Sequence, residues 1–261
     1  MKDITTLGRG GSDTSAVAIA AKLNTKCEIY SDVAGVFACD PKIIPSAKKH
    51  EYITYDELME LASMGAKVVH SRAVEIAKKF NVALYCASTF SEERGTYVVN
   101  ALPEWLEQPA VMGVTMDKNQ RKFTISPMPG GQRAQVHLFE ALASNNINLD
   151  MISIVKDNGY TYLTFTVVEG ASERVREVVE EVLSQYGEHR LIEDDEVAKV
   201  TAVGVGMESS PGVAARFFAA LDKEGISLLG TSTSEIKIST LVPKYDAERA
   251  VRAVAKEFNL A

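Results

Sequence analysis

The segment Gly8-Arg9-Gly10-Gly11-Ser12-Asp13 places three glycines, a cation, a hydroxyl and a carboxylate within six positions. Glycines let the backbone turn sharply and approach a ligand closely. Ser12 and Asp13 are both good N-cap residues, so a helix is expected to start there and run to about Leu23. The first turn of such a helix offers unpaired N–H groups and a positive dipole end. Arg9 adds a planar guanidinium suited to a carboxylate or phosphate. Together these make an anion site, although a Gly-rich turn before a helix serves equally as structure alone. Further along, Asp32 precedes Gly35 and fits either a ligand contact or an Asx turn. Lys42 and Lys67 are phosphate ligands or solvated surface charges, and His70 fits a packed structural role. Cys27, Cys39 and Cys86 are odd in number and lack metal-ligand spacing. They read as free, buried thiols of a reducing, cytoplasmic compartment, and no metal site is assigned.

These residues need elements to hold them. Helices are expected over residues 12–23, 54–63 and 66–80, with strands at 27–31 and 82–87. Such alternation predicts α/β layering with parallel pairing. The pattern stops near Leu102-Pro103-Glu104-Trp105, and Pro103 and Pro109 mark a boundary. Beyond it lies an internal repeat. Phe139, Ala141, Leu142, Ile147 and Leu149 recur as Phe218, Ala220, Leu221, Ile226 and Leu228, each displaced by 79 residues. The first copy is expected to have strands at 121–127, 147–156, 159–168 and 188–193, with helices at 132–145 and 172–185. The second is expected to have strands at 197–205, 226–230 and 235–242, with helices at 211–224 and 245–257. It lacks a fourth strand, and residues 111–116 can supply one, so the two modules are expected to interleave.

Composition bounds the partners. The chain has 261 residues, 46% hydrophobic and 24% charged, which fits two domains with real cores. A net charge of -7 argues against nucleic acid and anionic membranes, and no apolar run is long enough to span a bilayer.

Three motifs together resemble the aspartate kinases. They are Thr6-Leu7-Gly8-Arg9-Gly10-Gly11-Ser12-Asp13; Ile29-Tyr30-Ser31-Asp32-Val33-Ala34-Gly35-Val36-Phe37 with Asp40-Pro41-Lys42; and Met64-Gly65-Ala66-Lys67-Val68-Val69-His70. Ser210-Pro211-Gly212-Val213 and Ser232-Thr233-Ser234-Glu235-Ile236-Lys237-Ile238-Ser239 extend the resemblance through the repeats. It implies an amino-acid kinase domain with a mostly parallel sheet, present in part at residues 1–105. Two interleaved ACT-type βαββαβ modules of ferredoxin-like form follow, at 117–194 and at 109–116 plus 195–261.

The implied activity is transfer of the γ-phosphoryl group of ATP, with Mg2+, to the side-chain carboxylate of L-aspartate. The resemblance assigns catalysis to Arg9 and Asp13, and aspartate binding to Arg9, Gly10, Gly11 and Ser12. It assigns the nucleotide to Ser31, Asp32, Phe37, Lys42, Lys67 and Val68. The modules would bind an amino-acid effector, lysine or threonine, through Gly130, Gly131, Gln132, Asn148, Asp150, Ser210, Gly212, Val213, Ser234 and Glu235. Asn148 and Asp150, placed on the strand after the helix, would accept the ammonium group. ACT modules complete their sites by pairing, which implies a homodimer or higher oligomer.

Two departures stand out. Ser71 replaces a Pro common after the His, and Pro127-Met128-Pro129-Gly130-Gly131-Gln132 lacks an Asp that many relatives carry in this loop. A Lys-Phe-Gly-Gly-Thr-Ser type segment also begins the family's catalytic domain. It does not occur here, which implies an incomplete kinase fold, inactive alone. The other reading is a non-catalytic regulatory subunit that binds an effector; a glutamate or nucleotide kinase of the same fold is a third.

Overall fold

The protein is described by a computed structural model covering residues 7, 8, 10–66, 68–106, 109–207 and 210–261. Helix α1 (Gly11–Leu23) leads into strand β1 (Cys27–Ser31). After a long loop come β2 (Tyr52–Thr54), α2 (Tyr55–Ser63), α3 (Ser71–Lys79), β3 (Leu84–Ser88) and β4 (Thr96–Val99). The four strands form one sheet in the order β1-β3-β4-β2. Pairs β1–β3 and β2–β4 are parallel and β3–β4 is antiparallel. Val17 of α1, Leu58 and Leu61 of α2, and Ala73, Val74 and Ala77 of α3 bury their apolar faces against Ile53, Leu84 and Cys86 of this sheet.

Two sequence expectations need correction here. The helix expected over 66–80 is confined to Ser71–Lys79, because His70 is extended and caps it with its side chain. Strands β2 and β4 leave no mark in the sequence, since runs of three and four residues are too short to show a period.

The repeat builds two further sheets. The first module runs β6 (Gln120–Ile125), α4 (Gly131–Ser144), β7 (Asp150–Asp157), β8 (Tyr160–Val168), α5 (Ser172–Leu183) and β9 (Leu191–Asp194), with strand order β7-β8-β6-β9. The second runs β10 (Val197–Val203), α6 (Val213–Lys223), β11 (Gly230–Thr233), β12 (Lys237–Pro243) and α7 (Ala247–Glu257). Its sheet has the order β11-β12-β10-β5, where β5 (Gly113–Asp117) precedes the first module in the chain and pairs antiparallel with β10. Leu142 and Leu221, and Ile147 and Ile226, are buried at matching places in the two cores.

The second strand of each module starts later than its apolar pattern indicates. Residues 145–149 turn through Asn146, at φ 56°, before β7 begins at Asp150. Gly225, at φ 66°, likewise precedes a loop that delays β11 to Gly230. Asn148 therefore lies in a loop, not on a strand.

The kinase-like layer and the second module share their cores. Met112 and Val203 belong to the cluster beneath the first sheet, whereas Ala38, Cys39, Ile44 and Ala47 lie in the core of the second module. Backbone bonds reinforce the junction, from Val114 N–H to Ala38 C=O at 2.7 Å and from Lys48 N–H to Leu260 C=O at 2.9 Å.

Candidate functional site

Helix α1 opens at Gly10, whose φ of 72° is left-handed and costs glycine nothing. A side chain at Gly10 would collide with the His70 ring, so the two residues are in close approach. His70 begins α3. Its Nδ1 accepts from the Arg72 N–H at 3.3 Å, and its carbonyl accepts from Ala73 N–H at 2.8 Å. Its own N–H donates to the Asp13 carboxylate at 3.2 Å. Asp13 in the first turn of α1 thus ties together the starts of α1 and α3. The result is two positive helix ends side by side, with Arg72 exposed in the first turn of α3. An anion with several charged oxygens is the ligand such a place suits. The residues that the sequence assigned to aspartate, Gly10, Gly11, Ser12 and Asp13, lie together here; Arg9 and Lys67 fall outside the described residues.

The loop after β1 carries residues that the sequence assigns to the nucleotide. The Ser31 hydroxyl accepts from the Val33 N–H at 3.1 Å, and Asp32 is exposed. Thr96, buried on β4, clamps the loop: its hydroxyl accepts from the Val36 N–H at 2.9 Å and donates to the His50 carbonyl at 2.6 Å. Gly35, at φ 134°, is pressed so closely that a Cβ would lie 2.6 Å from the Thr96 hydroxyl. Val68 is partly buried against the core of the first sheet. Lys42 is exposed, with its N–H on the Asp40 carboxylate at 2.9 Å. Phe37 is partly buried and packs against the core of the second module. The sequence reading missed Thr96 and Arg72. Thr96 acts across 60 positions, and only the pairing of β3 with β4 delivers it.

No thiol is poised to react. Burial pushes the Cys39 thiol up to about 11 and the Cys86 thiol up to about 12. Among the described residues no group of three or more His, Cys, Asp or Glu side chains could cage a metal ion.

The residues that the sequence assigns to an effector are spread over two modules. Gly130, at φ 69°, caps α4; Gly131 is exposed, and Gln132 lines a groove of about 730 Å³ with Arg133, His137 and Tyr186. Gly212, at φ 90°, caps α6 in the same way; Ser210 N–H donates to Met207 C=O at 3.2 Å, and Val213 is buried. Ser234 and Glu235 form the exposed turn between β11 and β12, where Ser234 N–H donates to Lys237 C=O at 2.9 Å. Asn148 is exposed. Asp150 is already ion-paired with Lys199 of β10, whose side chain is 4% exposed, so the pair bridges the two modules.

A mixed four-stranded layer with paired helix N-termini, followed by two βαββαβ modules, defines a class in which an amino-acid-kinase-like layer adjoins tandem ferredoxin-like modules. Residues 1–88 match the amino acid kinase family and residues 200–258 match the ACT domain. The chain is 41% identical over 265 residues to an aspartokinase of Corynebacterium glutamicum, covering 99% of this chain and 63% of that protein. E. coli aspartokinase III in complex with aspartate and ADP, in its R-state, superposes with a TM-score of 0.83 at 25% identity, covering 98% of this chain and 57% of that one. The regulatory subunit of aspartate kinase from Thermus thermophilus is 33% identical with a TM-score of 0.54, covering 57% of this chain and 99% of that one. The chain belongs to the aspartokinase family. It spans a little under two thirds of the curated relative's length.

Proposed function

We propose that the chain carries the nucleotide and aspartate face of an aspartate kinase together with its amino-acid sensors. The observation that supports this most directly is the Asp13–His70 bond, which sets two helix N-termini side by side beneath a Gly-rich turn. The side-chain carboxylate of aspartate is ionised near neutral pH, so it needs no general base. One of its oxygens forms a bond to the γ-phosphorus of ATP while the bond to the β–γ bridging oxygen breaks, giving an acyl phosphate and ADP. The work left to the protein is to position two anions and offset their charge. Gly10, Gly11 and Ser12, with Arg9, hold aspartate; Asp13 orients the turn. Ser31, Asp32, Phe37, Lys42, Lys67 and Val68 contact the nucleotide, and Mg2+ bound with it neutralises phosphate charge.

The domain division proposed from sequence goes with this reading: kinase portion at 1–105, first ACT module at 117–194, and second at 109–116 plus 195–261. Lysine or threonine is the effector, and pairing of modules from two chains completes its site. A decisive assay joins this chain to the leading part of the C. glutamicum aspartokinase. The chimera is expected to release ADP only when both aspartate and Mg2+ are supplied, and a folded chimera that releases none refutes the kinase reading. The alternative of a sensing-only subunit draws on the likeness to the Thermus protein. That likeness covers 57% of the chain, and the kinase-family match over residues 1–88 favours the catalytic reading.

A further inference from the structure

Helix α2 is fastened to the second module at both ends and in the middle. Glu60 accepts from the Lys237 ammonium at 3.0 Å, with the two side chains only 22% and 27% exposed. Glu57 is fully buried. Its Oε2 accepts from the Thr54 N–H at 3.1 Å and hydroxyl at 2.8 Å, and its Oε1 faces the Val205 N–H at 3.4 Å. At the C-terminal end, the Met64 carbonyl accepts from the Thr115 hydroxyl of β5 at 3.1 Å. Gly65, at φ 114°, lies against the Met116 carbonyl, where a Cβ would stand 2.6 Å from the oxygen. The chain then runs to His70, whose N–H holds Asp13. Lys237 is the first residue of β12, and its carbonyl also closes the turn at Ser234. One residue therefore belongs both to the turn assigned to the effector and to the ion pair on α2.

We propose that Lys237 is a positioning residue that transmits amino-acid occupancy of the 234–235 turn, through Glu60 and α2, to the helix N-termini at Gly10 and His70. The proposal rests on the sensing role given to that turn. Its physical basis is stiffness. A nine-residue helix anchored at both ends moves as a body, so a shift of Lys237 is passed along it and not absorbed locally. The ion pair is half-buried, which makes it less screened than a surface pair and more sensitive to a small displacement. The remaining contacts of α2, at Val205, Thr115 and Met116, keep the helix seated when the pair is removed. Loss of Lys237 should thus uncouple the two sites without dissociating them.

The test uses the whole chain, with L-lysine and L-threonine supplied separately at millimolar concentration. Calorimetry reports binding, and backbone amide resonances report the response. In the unaltered chain, the amide signals of Ser234 and Lys237 are expected to shift together with those of Gly65, Ala66 and His70. In Lys237→Met the effector should bind with an affinity within about two-fold and still shift Ser234, while the shifts at Gly65, Ala66 and His70 vanish. Lys237→Arg should restore them. Glu60→Gln must reproduce the loss, and it decides the matter if Lys237→Met does not fold. Shifts at Gly65 and His70 that persist in either variant overturn the proposal and leave sensing intact. Binding to the unaltered chain with no shift beyond the turn does the same. Absence of binding to the unaltered chain removes the sensing reading itself, and this proposal with it.

Discussion

Gly10 has no tolerance for a side chain, because its left-handed φ and the neighbouring His70 ring both forbid one. Gly10→Ala is expected to destabilise the chain by at least about 2 kcal/mol and to separate the starts of α1 and α3. Urea unfolding and calorimetry with ADP would read the two effects. His50 offers a prediction in pH. Its Nε2 is sealed from solvent without a partner among the described residues, and burial pulls its pKa down to about 4, against a weaker opposing hydrogen bond with the Met112 backbone. In the unfolded chain the imidazole titrates near its ordinary value of about 6.5. The unfolded state therefore binds more protons between these values, so stability is complete above about pH 6.5 and falls as pH drops towards 4. A depression of this size corresponds to roughly 3 kcal/mol across that window. His50→Leu should flatten the acid limb of a urea-midpoint-against-pH curve; an unchanged limb would show that other groups govern it.

The Lys199–Asp150 pair links two elements, and its partners are unequal. Lys199 is buried on β10, whereas Asp150 at the head of β7 is 44% exposed. Asp150→Ala leaves a buried ammonium uncompensated, and a cost of about 3–5 kcal/mol is expected. Lys199→Met removes the buried charge and leaves a carboxylate that water reaches, so its cost should be smaller. Chemical denaturation of both variants checks the order. Because Asp150 is committed to Lys199, loss of effector binding in Asp150→Ala means a lost ligand only if the modules remain docked. A second element-scale test concerns α2. Thr54 and Glu57 form a reciprocal capping box at its start. Thr54→Ala is expected to cost about 1 kcal/mol. Glu57→Ala should cost more, because it also strips the partner from the Val205 N–H.

At the scale of the molecule, the first module ends in an open edge. Strand β7 lies at the margin of its sheet, and Ile152, Ile154 and Val155 on it are 51%, 44% and 53% exposed. An exposed apolar edge of this kind pairs readily with another chain. Association of two copies through the modules is therefore expected, and Ile154→Lys should weaken it. Sedimentation velocity at micromolar concentration would show the unaltered chain as a dimer or larger and the variant shifted towards monomer. Among the described residues no helix is long and apolar enough to cross a membrane.

Local chemistry made much of this legible in the sequence alone. The Gly-rich turn, the extent of α1 and β1, the 79-residue repeat and the helices of both modules are all written in neighbouring residue types, because helix starts and hydrophobic periods are short-range properties. What depended on contacts between distant positions was not legible. His70 reads as a packed residue, yet it is exposed and its N–H donates to Asp13, 57 positions away. Phe37 reads as a ligand's aromatic neighbour, and its packing on the second core is invisible in the sequence. Asp150 reads as an acceptor for an effector's ammonium group, and nothing in the sequence shows that Lys199 reaches it across the modules. Only the folded chain decides such partners, since hydrogen bonds and ion pairs are chosen by proximity in space, which local spacing does not encode.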